Sequence, residues 1–322
     1  MDIIRHNILF VLFFLVGTPA SVQSETIEPL PYGDMDFWTT RIIKESAILG
    51  GKKKKVYAIG PDRIIEGYHP YVPAKGNPWA TSNVLANVCG IVKTSNAVSP
   101  GLRDDKDKCA VLSTKMEHCK AIRLVNIDVL VSGSIFLGRM FEPIRSTSNP
   151  YSKMEMGIAC TKRPAYLQFD YKLRHPGTGI ITKATGTKTT HYPGTDKAEV
   201  FILLQYRWED SKGNLYAKRV GTARERYVHN TNGWVNRHRI KVMYGDITHK
   251  EGYKPYMGLI PSEKSYYARN SKGKMVPVHE VGWADASATP THLLVMASSG
   301  CGTAYTGTVG MQFSIDNIAL VF

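Results

Sequence analysis

Polar side chains alternate with apolar ones over residues 167–174, and their types suit the binding of a saccharide. The polar members of this stretch are Gln168, Asp170, Lys172 and Arg174. Successive side chains of a β-strand point to opposite faces, so these four would form one row. Carboxylate, amide and guanidinium groups make the paired hydrogen bonds that sugar hydroxyls accept and donate. The row is therefore a candidate carbohydrate-binding site, although an outer face that meets only water explains the same alternation.

A second stretch could extend this polar row. Gln205 and Arg207 alternate with aromatic residues near the end of an apolar run that starts at Glu199. They are candidate carbohydrate-binding residues on the condition that their strand lies beside residues 167–174. A concave polar face made by two such strands would suit an extended saccharide chain.

Aromatic rings are the other requirement of a sugar site, because they pack against the C–H faces of sugar rings. The chain has five Trp and seventeen Tyr residues. Trp79 and Tyr266 stand beside turn residues and are candidate carbohydrate-binding residues, although a single ring more often packs in a core or a loop. Trp208 and Trp234 are expected to point inward from their strands.

Hydrolysis of a glycosidic bond would need two carboxyl groups that face each other about 5 to 9.5 Å apart. Carboxylates on strand-like segments are present at Asp170, Glu199, Glu209 and Glu225, but no spacing pairs them. Glu225 stands between Arg224 and Arg226, which would lower its pKa and favour a salt bridge over a general acid. The chain has no Gly-x-Ser-x-Gly and no His-Glu-x-x-His motif. Glycoside hydrolysis is thus the alternative to binding.

Short strand-like runs separated by Gly, Pro and Asn clusters must position these side chains. The expected strands include residues 110–113, 121–132, 135–140, 167–173, 199–209, 239–244 and 293–297, and a hairpin at 210–214 leads into 215–220. Residues 82–92 and 261–269 have the only short helical patterns. In the last stretch, Met311, Phe313 and Ile315 alternate with polar residues, which indicates a strand that completes a sheet. The fold class is therefore all-β, an antiparallel β-sandwich or jelly roll.

The first residues have the pattern of an export signal. Arg5 and His6 precede an apolar run over residues 8–16, and small and polar residues follow up to Ser24. The run is too short to cross a bilayer core of about 30 Å. We therefore expect a signal peptide at 1–24, no membrane span, and a single domain over 25–322 to which the first strands at 32–75 belong. The mature protein would be secreted, periplasmic or at the cell surface. It would not be a lipoprotein, because the signal contains no cysteine.

Charge and cysteine content restrict the partners. The formal net charge is +14, and Lys52 to Lys55 form the densest basic cluster. This cluster is either a solvated turn or a site for an acidic partner such as an acidic glycan. Nucleic acid is disfavoured by export and by the lack of a nucleic-acid motif. The five cysteines are spaced irregularly, and buried thiols at positions such as Cys89 and Cys109 are as consistent with them as two disulfides.

Several segments, in this order, resemble one known family of exported bacterial proteins, the "putative carbohydrate metabolism domain" (PCMD) family. The segments are Gly33–Trp38, Tyr57–Pro61, Asn77–Asn83, Ala97–Gly101, Gly133–Gly138, Arg163–Pro164 with Phe169–Lys172, and Ser298–Gly300 with Gly307 and Ile315–Asn317. The opening segment departs from the family pattern at Tyr32 and Met35. The resemblance spans about residues 32–322. It implies a jelly-roll sandwich like those of carbohydrate-binding modules and a link to glycans.

The resemblance also implies a structural calcium ion. Jelly-roll binding modules commonly hold such an ion where the first and last strands meet, and Asp34, Asp36 and Asp316 are the matching positions here. Calcium prefers oxygen ligands of this kind. The alternative is that Asp316 only forms a polar bend.

Three functions follow from these observations. The first is a secreted, non-enzymatic protein that binds a polysaccharide or oligosaccharide, with a role in bacterial carbohydrate recognition or utilisation. The second is a glycoside hydrolase on the same scaffold, and the third is a surface module that binds another protein.

Overall fold

The computed structural model describes residues 24–121, 125–146 and 148–322. The expected signal peptide lies outside the described residues except for Ser24. The first thirteen strands are β1 (Ile27–Pro29), β2 (Trp38–Lys44), β3 (Lys53–Ile59), β4 (Arg63–Glu66), β5 (Trp79–Thr81), β6 (Val84–Val88), β7 (Ile91–Ser95), β8 (Val98–Leu102), β9 (Lys108–Ala121), β10 (Val125–Ser132), β11 (Ser134–Met140), β12 (Met154–Met156) and β13 (Ile158–Ala159).

The remaining strands are β14 (Tyr166–Arg174), β15 (Ile180–Gly186), β16 (Thr189–Pro193), β17 (Ala198–Glu209), β18 (Leu215–Tyr227), β19 (Val235–Lys241), β20 (Met243–Tyr244), β21 (Tyr267–Arg269), β22 (Met275–Trp283), β23 (His292–Ser298), β24 (Thr306–Gly307) and β25 (Gln312–Val321). Four short 3₁₀ helices occur at Ala47–Leu49, Pro150–Lys153, Pro255–Met257 and Ser262–Lys264. In the described part of the chain there is no helix long and apolar enough to cross a membrane.

Two large sheets stack to form a β-sandwich, which confirms the predicted all-β fold class. The first sheet has the order β16-β15-β10-β9-β25-β14-β19, and β1, β8 and β24 pair at its sides. The second sheet has the order β13-β23-β17-β18-β22-β21-β12-β11-β5, with β20 beside β18. Most pairs are antiparallel; β18 with β22 and β12 with β21 are parallel.

The main core lies between these sheets. Phe169 and Phe313 reach it from the first sheet, and Ile202 and Val295 from the second; all four are buried. Burying a side chain of this size contributes roughly 1.5–3 kcal/mol, so the alternation in each strand is sufficient to orient it. The terminal strand that the alternation predicted is present as β25, and it lies between β9 and β14.

The second sheet folds back on itself. β11 pairs with β12 at one end and with β23 at the other, so β11, β12, β21, β22, β18, β17 and β23 close into a ring. We call this arrangement the ring. Phe136, Met156, Phe201 and Leu294 pack together as a second core on the ring's inner side. β17 is therefore apolar on both faces over its first half, because one face meets the sandwich core and the other meets the ring core.

Residues 38–66 form a small sheet of their own, in the order β3-β2-β4, and Trp38 and Ile59 from it join the main core. The helical pattern at 82–92 was misleading, because β6 and β7 form a hairpin there. Cys89 and Gly90 have positive φ angles of 50° and 81°, and two such residues make the tight turn that joins antiparallel strands. In residues 261–269 only Ser262–Lys264 is helical.

All five cysteines are free thiols. Cys109 is buried as predicted, and burial raises its pKa to about 11. Cys89 is exposed, contrary to prediction, because it occupies the β6–β7 turn.

Candidate functional site

The polar row on β14 is only partly exposed. Gln168 and Asp170 are buried, with Asp170 5% exposed, whereas Lys172 is exposed. Arg103, from the loop before β9, extends over the row, and its Nη1 donates to Asp170 Oδ2 at 2.6 Å and to Asp316 Oδ2 at 2.7 Å. Gln168 accepts a hydrogen bond from Arg239. Gln168 and Asp170 therefore bond to protein groups, whereas Lys172 and Arg174 are exposed.

Asp170 and Asp316 stabilise two β-bulges, one in β19 and one in β25. Arg237 and Asn317 have positive φ angles of 52° and 51°, and the pairing register shifts beside each of them. Asp170 accepts hydrogen bonds from the Arg237 backbone N–H and from Asn317 Nδ2, and Asp316 accepts one from the Asn317 backbone N–H. β-Bulges leave backbone donors unpaired, and these carboxylates satisfy them.

The two carboxyl groups ionise differently although they share Arg103. Burial raises the pKa of Asp316 to about 6, in spite of its hydrogen bonds to Arg103 and Asn317. Burial acts in the same direction on Asp170, but hydrogen bonds from Arg237, Asn317 and Arg103 outweigh it, so its pKa is lowered. Two carboxylates that share one cation favour one ionised member.

Gln205 and Arg207 do not join the β14 row, because β17 belongs to the other sheet. The condition for a shared row is not met, and a carbohydrate-binding role of these two residues stays a prediction. Both side chains lie on the inner side of the ring, where Arg207 Nε donates to Gln205 Oε1 at 2.7 Å. Burial lowers the pKa of Arg207 to about 10, and its Nη2 has no hydrogen-bond partner among the described residues.

An ion pair lies at the centre of this inner network. The side chains of Arg219 and Glu280 are 1% and 0% exposed, and Arg219 Nε donates to Glu280 Oε1 at 2.7 Å. Gln205 Nε2 and the backbone N–H of Ile260 also donate to Glu280. Burial would raise the pKa of Glu280, but Arg219 and these donors lower it. Gln205, Arg219 and Glu280 therefore form a buried polar network inside the ring.

The two candidate aromatic residues are also packed inside. Trp79 is fully buried in the main core, and its Nε1 donates to the Pro31 carbonyl at 2.9 Å. Tyr266 stacks on Phe201 in the ring core, with ring centroids 6.0 Å apart, and burial raises its pKa. Neither ring forms a surface platform, and their carbohydrate-binding role stays a prediction.

The three aspartates expected to bind calcium lie in different surroundings. Asp34 is exposed, Asp36 accepts a hydrogen bond from the Lys108 backbone N–H, and Asp316 is bound by Arg103. A guanidinium group therefore occupies the side of Asp316 that a cation would need. In residues 24–121, 125–146 and 148–322, no group of three or more His, Cys, Asp or Glu side chains could hold a metal ion. Calcium binding stays a prediction.

A different row of side chains, partly exposed and partly half-buried, lies at the turn end of the β17–β18 hairpin. Tyr206 and Trp208 of β17 are 48% and 37% exposed. Trp208 is paired with Tyr216 of β18, and Tyr216 is paired with His279 of β22, so these residues run across three neighbouring strands. We call Tyr206, Trp208, Tyr216 and His279 the aromatic row.

The rings of the aromatic row contact each other. Trp208 and Tyr216 are nearly parallel, with centroids 5.7 Å apart and an interplanar angle of 24°. Tyr206 and His279 flank them, with centroids 6.2 Å from Trp208 and 6.1 Å from Tyr216 respectively. Contacts of this kind hold the rings in place, so little side-chain entropy remains to be lost on binding.

Polar groups border the row. Lys218 is paired with Tyr206 in the strand register and is exposed. Asp210, in the hairpin turn, accepts hydrogen bonds from the backbone and side-chain nitrogens of Asn214, which lower its pKa. The Tyr216 hydroxyl lies 3.4 Å from Asp210 Oδ2. Rings with a cation and a carboxylate at their edge can bind both the C–H face and the hydroxyls of a sugar.

Sequence reasoning missed this row because Trp208 was expected to point inward. Tyr206 and Trp208 do share a face with Ile202 and Leu204, which enter the main core. However, β23 begins at His292, which pairs with Gln205, so the part of β17 after Gln205 has no β23 residue beside it. The apolar run ends at Leu204, and that end was the available signal that later residues lie beyond the core.

The carboxylates considered for hydrolysis lie with separate partners. Glu199 is bound by Arg224 at 2.7 Å and by Arg226 at 2.6 Å. Glu225 is bound by His238 Nε2 at 2.8 Å and by the Tyr227 hydroxyl at 3.0 Å. Glu209 accepts hydrogen bonds from Ser271. Each of these carboxylates has a positional role in its own part of the fold.

The architecture and this surface define an all-β sandwich protein with an exposed aromatic face. The chain belongs to the family described as "putative carbohydrate metabolism domain", whose model matches residues 52–321. The resemblance seen in the sequence is thus confirmed; its first segment, Gly33–Trp38, precedes the matched range.

Two solved structures are similar in fold. One is described as a "putative glycoside hydrolase" from Bacteroides thetaiotaomicron VPI-5482 and is 15% identical in sequence. The match covers 92% of this chain and 70% of that chain, with a TM-score of 0.46. The other is described in the same words and comes from Bacteroides vulgatus ATCC 8482, with 13% identity, 92% and 94% coverage and a TM-score of 0.45. Similarity at this level carries no argument about function. Among curated proteins no match was found.

Proposed function

We propose that this chain is an exported protein that binds a polysaccharide or oligosaccharide, and that the saccharide docks on the aromatic row. The exposed rings of Tyr206 and Trp208, packed with the half-buried ring of Tyr216, carry the proposal. Exposed aromatic side chains that contact one another on a sheet surface are costly to leave in water, and a ligand with apolar C–H faces would remove that cost. The family's carbohydrate-related description supports the same ligand class.

Two observations favour binding over the other functions. The carboxylates Asp170, Glu199 and Glu280 are each engaged by arginine, which suits structural ion pairs better than a general acid. The aromatic row is bordered by Lys218 and Asp210, and a charged border suits hydroxyl-rich ligands better than the flat apolar surface of a protein partner.

A glycan array with the mature protein tests the proposal, followed by affinity measurements on the captured glycan. Trp208→Ala should weaken binding about tenfold or more, because the central ring of a contact surface carries a large part of the binding energy. Trp208→Phe keeps a ring and should retain most of the affinity. Lys172→Ala is the matched control, since it removes an exposed side chain from the β14 row.

The outcomes separate the three functions. Capture of no glycan, or equal losses for Trp208→Ala and Lys172→Ala, would refute the aromatic row as the binding site. Release of reducing sugar from a captured glycan would assign hydrolysis instead. Binding of a protein partner that depends on Trp208, with no glycan captured, would assign the interaction module.

Export is part of the proposal and has its own test. Cleavage after Ala20 or Ser24 would leave a mature chain that starts close to Glu25. N-terminal sequencing of the protein recovered from outside the cytoplasm should show one of these two starts. An intact Met1 in that material would contradict the assignment.

A further inference from the structure

A basic cleft lies away from the aromatic row, where three separate strands meet. It has a volume of about 190 Å³ and is lined by Lys54, Lys55, Lys93, Thr94, Asn96, Lys115 and Glu117. These residues come from β3, from β7 and the residue just after it, and from β9. We call it the lysine cleft. A single water needs roughly 10–15 Å³, so the space is large enough for a ligand group.

The charges of the lysine cleft do not cancel. Lys93 Nζ lies 3.1 Å from Glu45 Oε1, and Lys115 Nζ lies 3.0 Å from Glu117 Oε1. Lys54 and Lys55 have no acidic partner among the described residues. Four lysines and two carboxylates leave a net charge of +2.

Glu45 holds one side of the cleft in place. It is buried and accepts hydrogen bonds from Thr94 N at 2.9 Å and Thr94 Oγ1 at 2.8 Å. Burial would raise the pKa of Glu45, but the Thr94 hydrogen bonds and Lys93 lower it. The ionised carboxylate therefore fixes Lys93 beside the cleft, which prepares the site for a ligand.

The remaining polar groups also favour an acceptor-rich ligand. Asn96 Oδ1 accepts a hydrogen bond from the Tyr57 backbone N–H at 3.1 Å. Its amide nitrogen has no partner in the part of the chain that the structure describes, so a donor is left for a ligand. Lysine ammonium groups are donors only. Carboxylate and sulfate groups, which are acceptors with negative charge, match this lining.

We propose that the lysine cleft binds a carboxylate or sulfate group of an acidic saccharide. The proposal rests on the proposed glycan-binding function and adds a second site and a ligand class to it. β3 is the edge strand of its small sheet, so Lys54 and Lys55 can both border the cleft although they point to opposite faces. Clefts lined by one sign of charge concentrate oppositely charged ligands.

Titration calorimetry of the mature protein with three polysaccharides tests the proposal: polygalacturonate for carboxylate, dextran sulfate for sulfate and dextran as the neutral probe. The double variant Lys54→Gln/Lys55→Gln should weaken binding of the charged probes about tenfold at low salt, the combined effect of two exposed charge contacts. Raising the ionic strength to 1 M should remove most of the difference in affinity between wild type and the double variant.

The matched control is Lys254→Gln/Lys264→Gln, which removes the same charge from two exposed lysines on the segment between β20 and β21. A loss of less than about twofold in the control, with the tenfold loss in the cleft variant, supports the lysine cleft. Equal losses in both would overturn it, because net charge alone would then explain binding. Binding of only one charged probe identifies the recognised group and supports the cleft.

The two proposals fail separately in this experiment. If neither charged probe binds while an array glycan binds through Trp208, the lysine cleft proposal is overturned and the aromatic row stands. If the charged probes bind through Lys54 and Lys55 and no array glycan depends on Trp208, the aromatic row is overturned and the cleft stands. If no saccharide binds at all, both are overturned.

Discussion

The β17–β18 hairpin has one buried face and one exposed face near its turn. One face carries Gln205 and Arg207, which lie inside the ring with the Arg219–Glu280 pair. The other face carries Tyr206 and Trp208, which are exposed. The polar side chains are thus buried and the aromatic ones are in water, the reverse of the usual arrangement. The difference shows that alternation separates two faces of a strand without deciding which of them is covered.

The first sheet also has buried polar side chains. Asp170 and Asp316 stand on its outer face, yet both are buried and share Arg103. Their hydrogen bonds satisfy the bulges at Arg237 and Asn317. Buried polar rows in both sheets therefore fix the local geometry, whereas Tyr206 and Trp208 of the aromatic row are exposed and can contact a ligand.

The largest expected effect comes from breaking the buried network. Glu280→Ala would leave the Arg219 guanidinium in the ring interior without its carboxylate, and removal of one partner of a buried pair costs roughly 3–5 kcal/mol. We expect a loss of this size in the free energy of unfolding, measured by urea titration. The double variant Arg219→Met/Glu280→Met should lie closer to wild type, because Arg219 is no longer left without its carboxylate. A loss below about 1 kcal/mol in Glu280→Ala would show that the network does not hold the ring.

A smaller effect concerns pH and the second buried row. The native pKa of Asp316 is raised to about 6, above that of an unfolded aspartate, so the native state binds the proton more tightly between pH about 4 and 6. Stability from this group is present at low pH and is lost as the pH rises through that window. Asp316→Asn should remove this contribution.

Urea midpoints at pH 4.5 and pH 7 measure the contribution of Asp316 to stability. Wild type should lose more stability between the two pH values than Asp316→Asn, by on the order of 1 kcal/mol after allowance for solvent screening. Parallel pH profiles for the two proteins would show that Asp316 is not the titrating group.

The smallest effect separates the exposed face from the buried one. Tyr206→Thr removes the outer ring of the aromatic row and keeps a residue that favours strands. Stability should change by no more than about 0.5 kcal/mol, because the side chain is exposed, while affinity for the captured glycan should fall about two- to fivefold. Thermal melts and titration calorimetry measure the two quantities. A large loss of stability would place Tyr206 among the structural residues instead.

Much of the fold could be predicted from the sequence. The strands around Phe169, Ile202, Val295 and Phe313 were expected from period-2 alternation, and all four side chains enter the main core. The hairpin at 210–214 is also present, with Glu209 paired to Leu215. These features depend on local patterns, since burial of one face and turn chemistry act over a few residues. The helical pattern at 82–92 failed because a tight turn at Cys89 and Gly90 overrides it.

The candidate site was less predictable. Gln205 and Arg207 were expected near the β14 row on the condition that the two strands are neighbours, but strand order places β14 and β17 in different sheets. Among the lysines of the cleft, only Lys54 and Lys55 were visible as part of a basic cluster, because Lys93 and Lys115 reach the lysine cleft from strands that are distant in the chain. Contacts between distant segments leave no mark on the spacing of residues.

By itself, the sequence determined an all-β chain, the inward residues of its main strands and its family, because each of these depends on alternation or on motifs that are continuous in the chain. Only the tertiary structure decided which faces meet water. Closure of the second sheet through β11 buries the polar side of the hairpin, and the length of β17 beyond β23 leaves its aromatic side uncovered. Burial is a property of what packs on top of a strand, and that depends on the arrangement of both sheets.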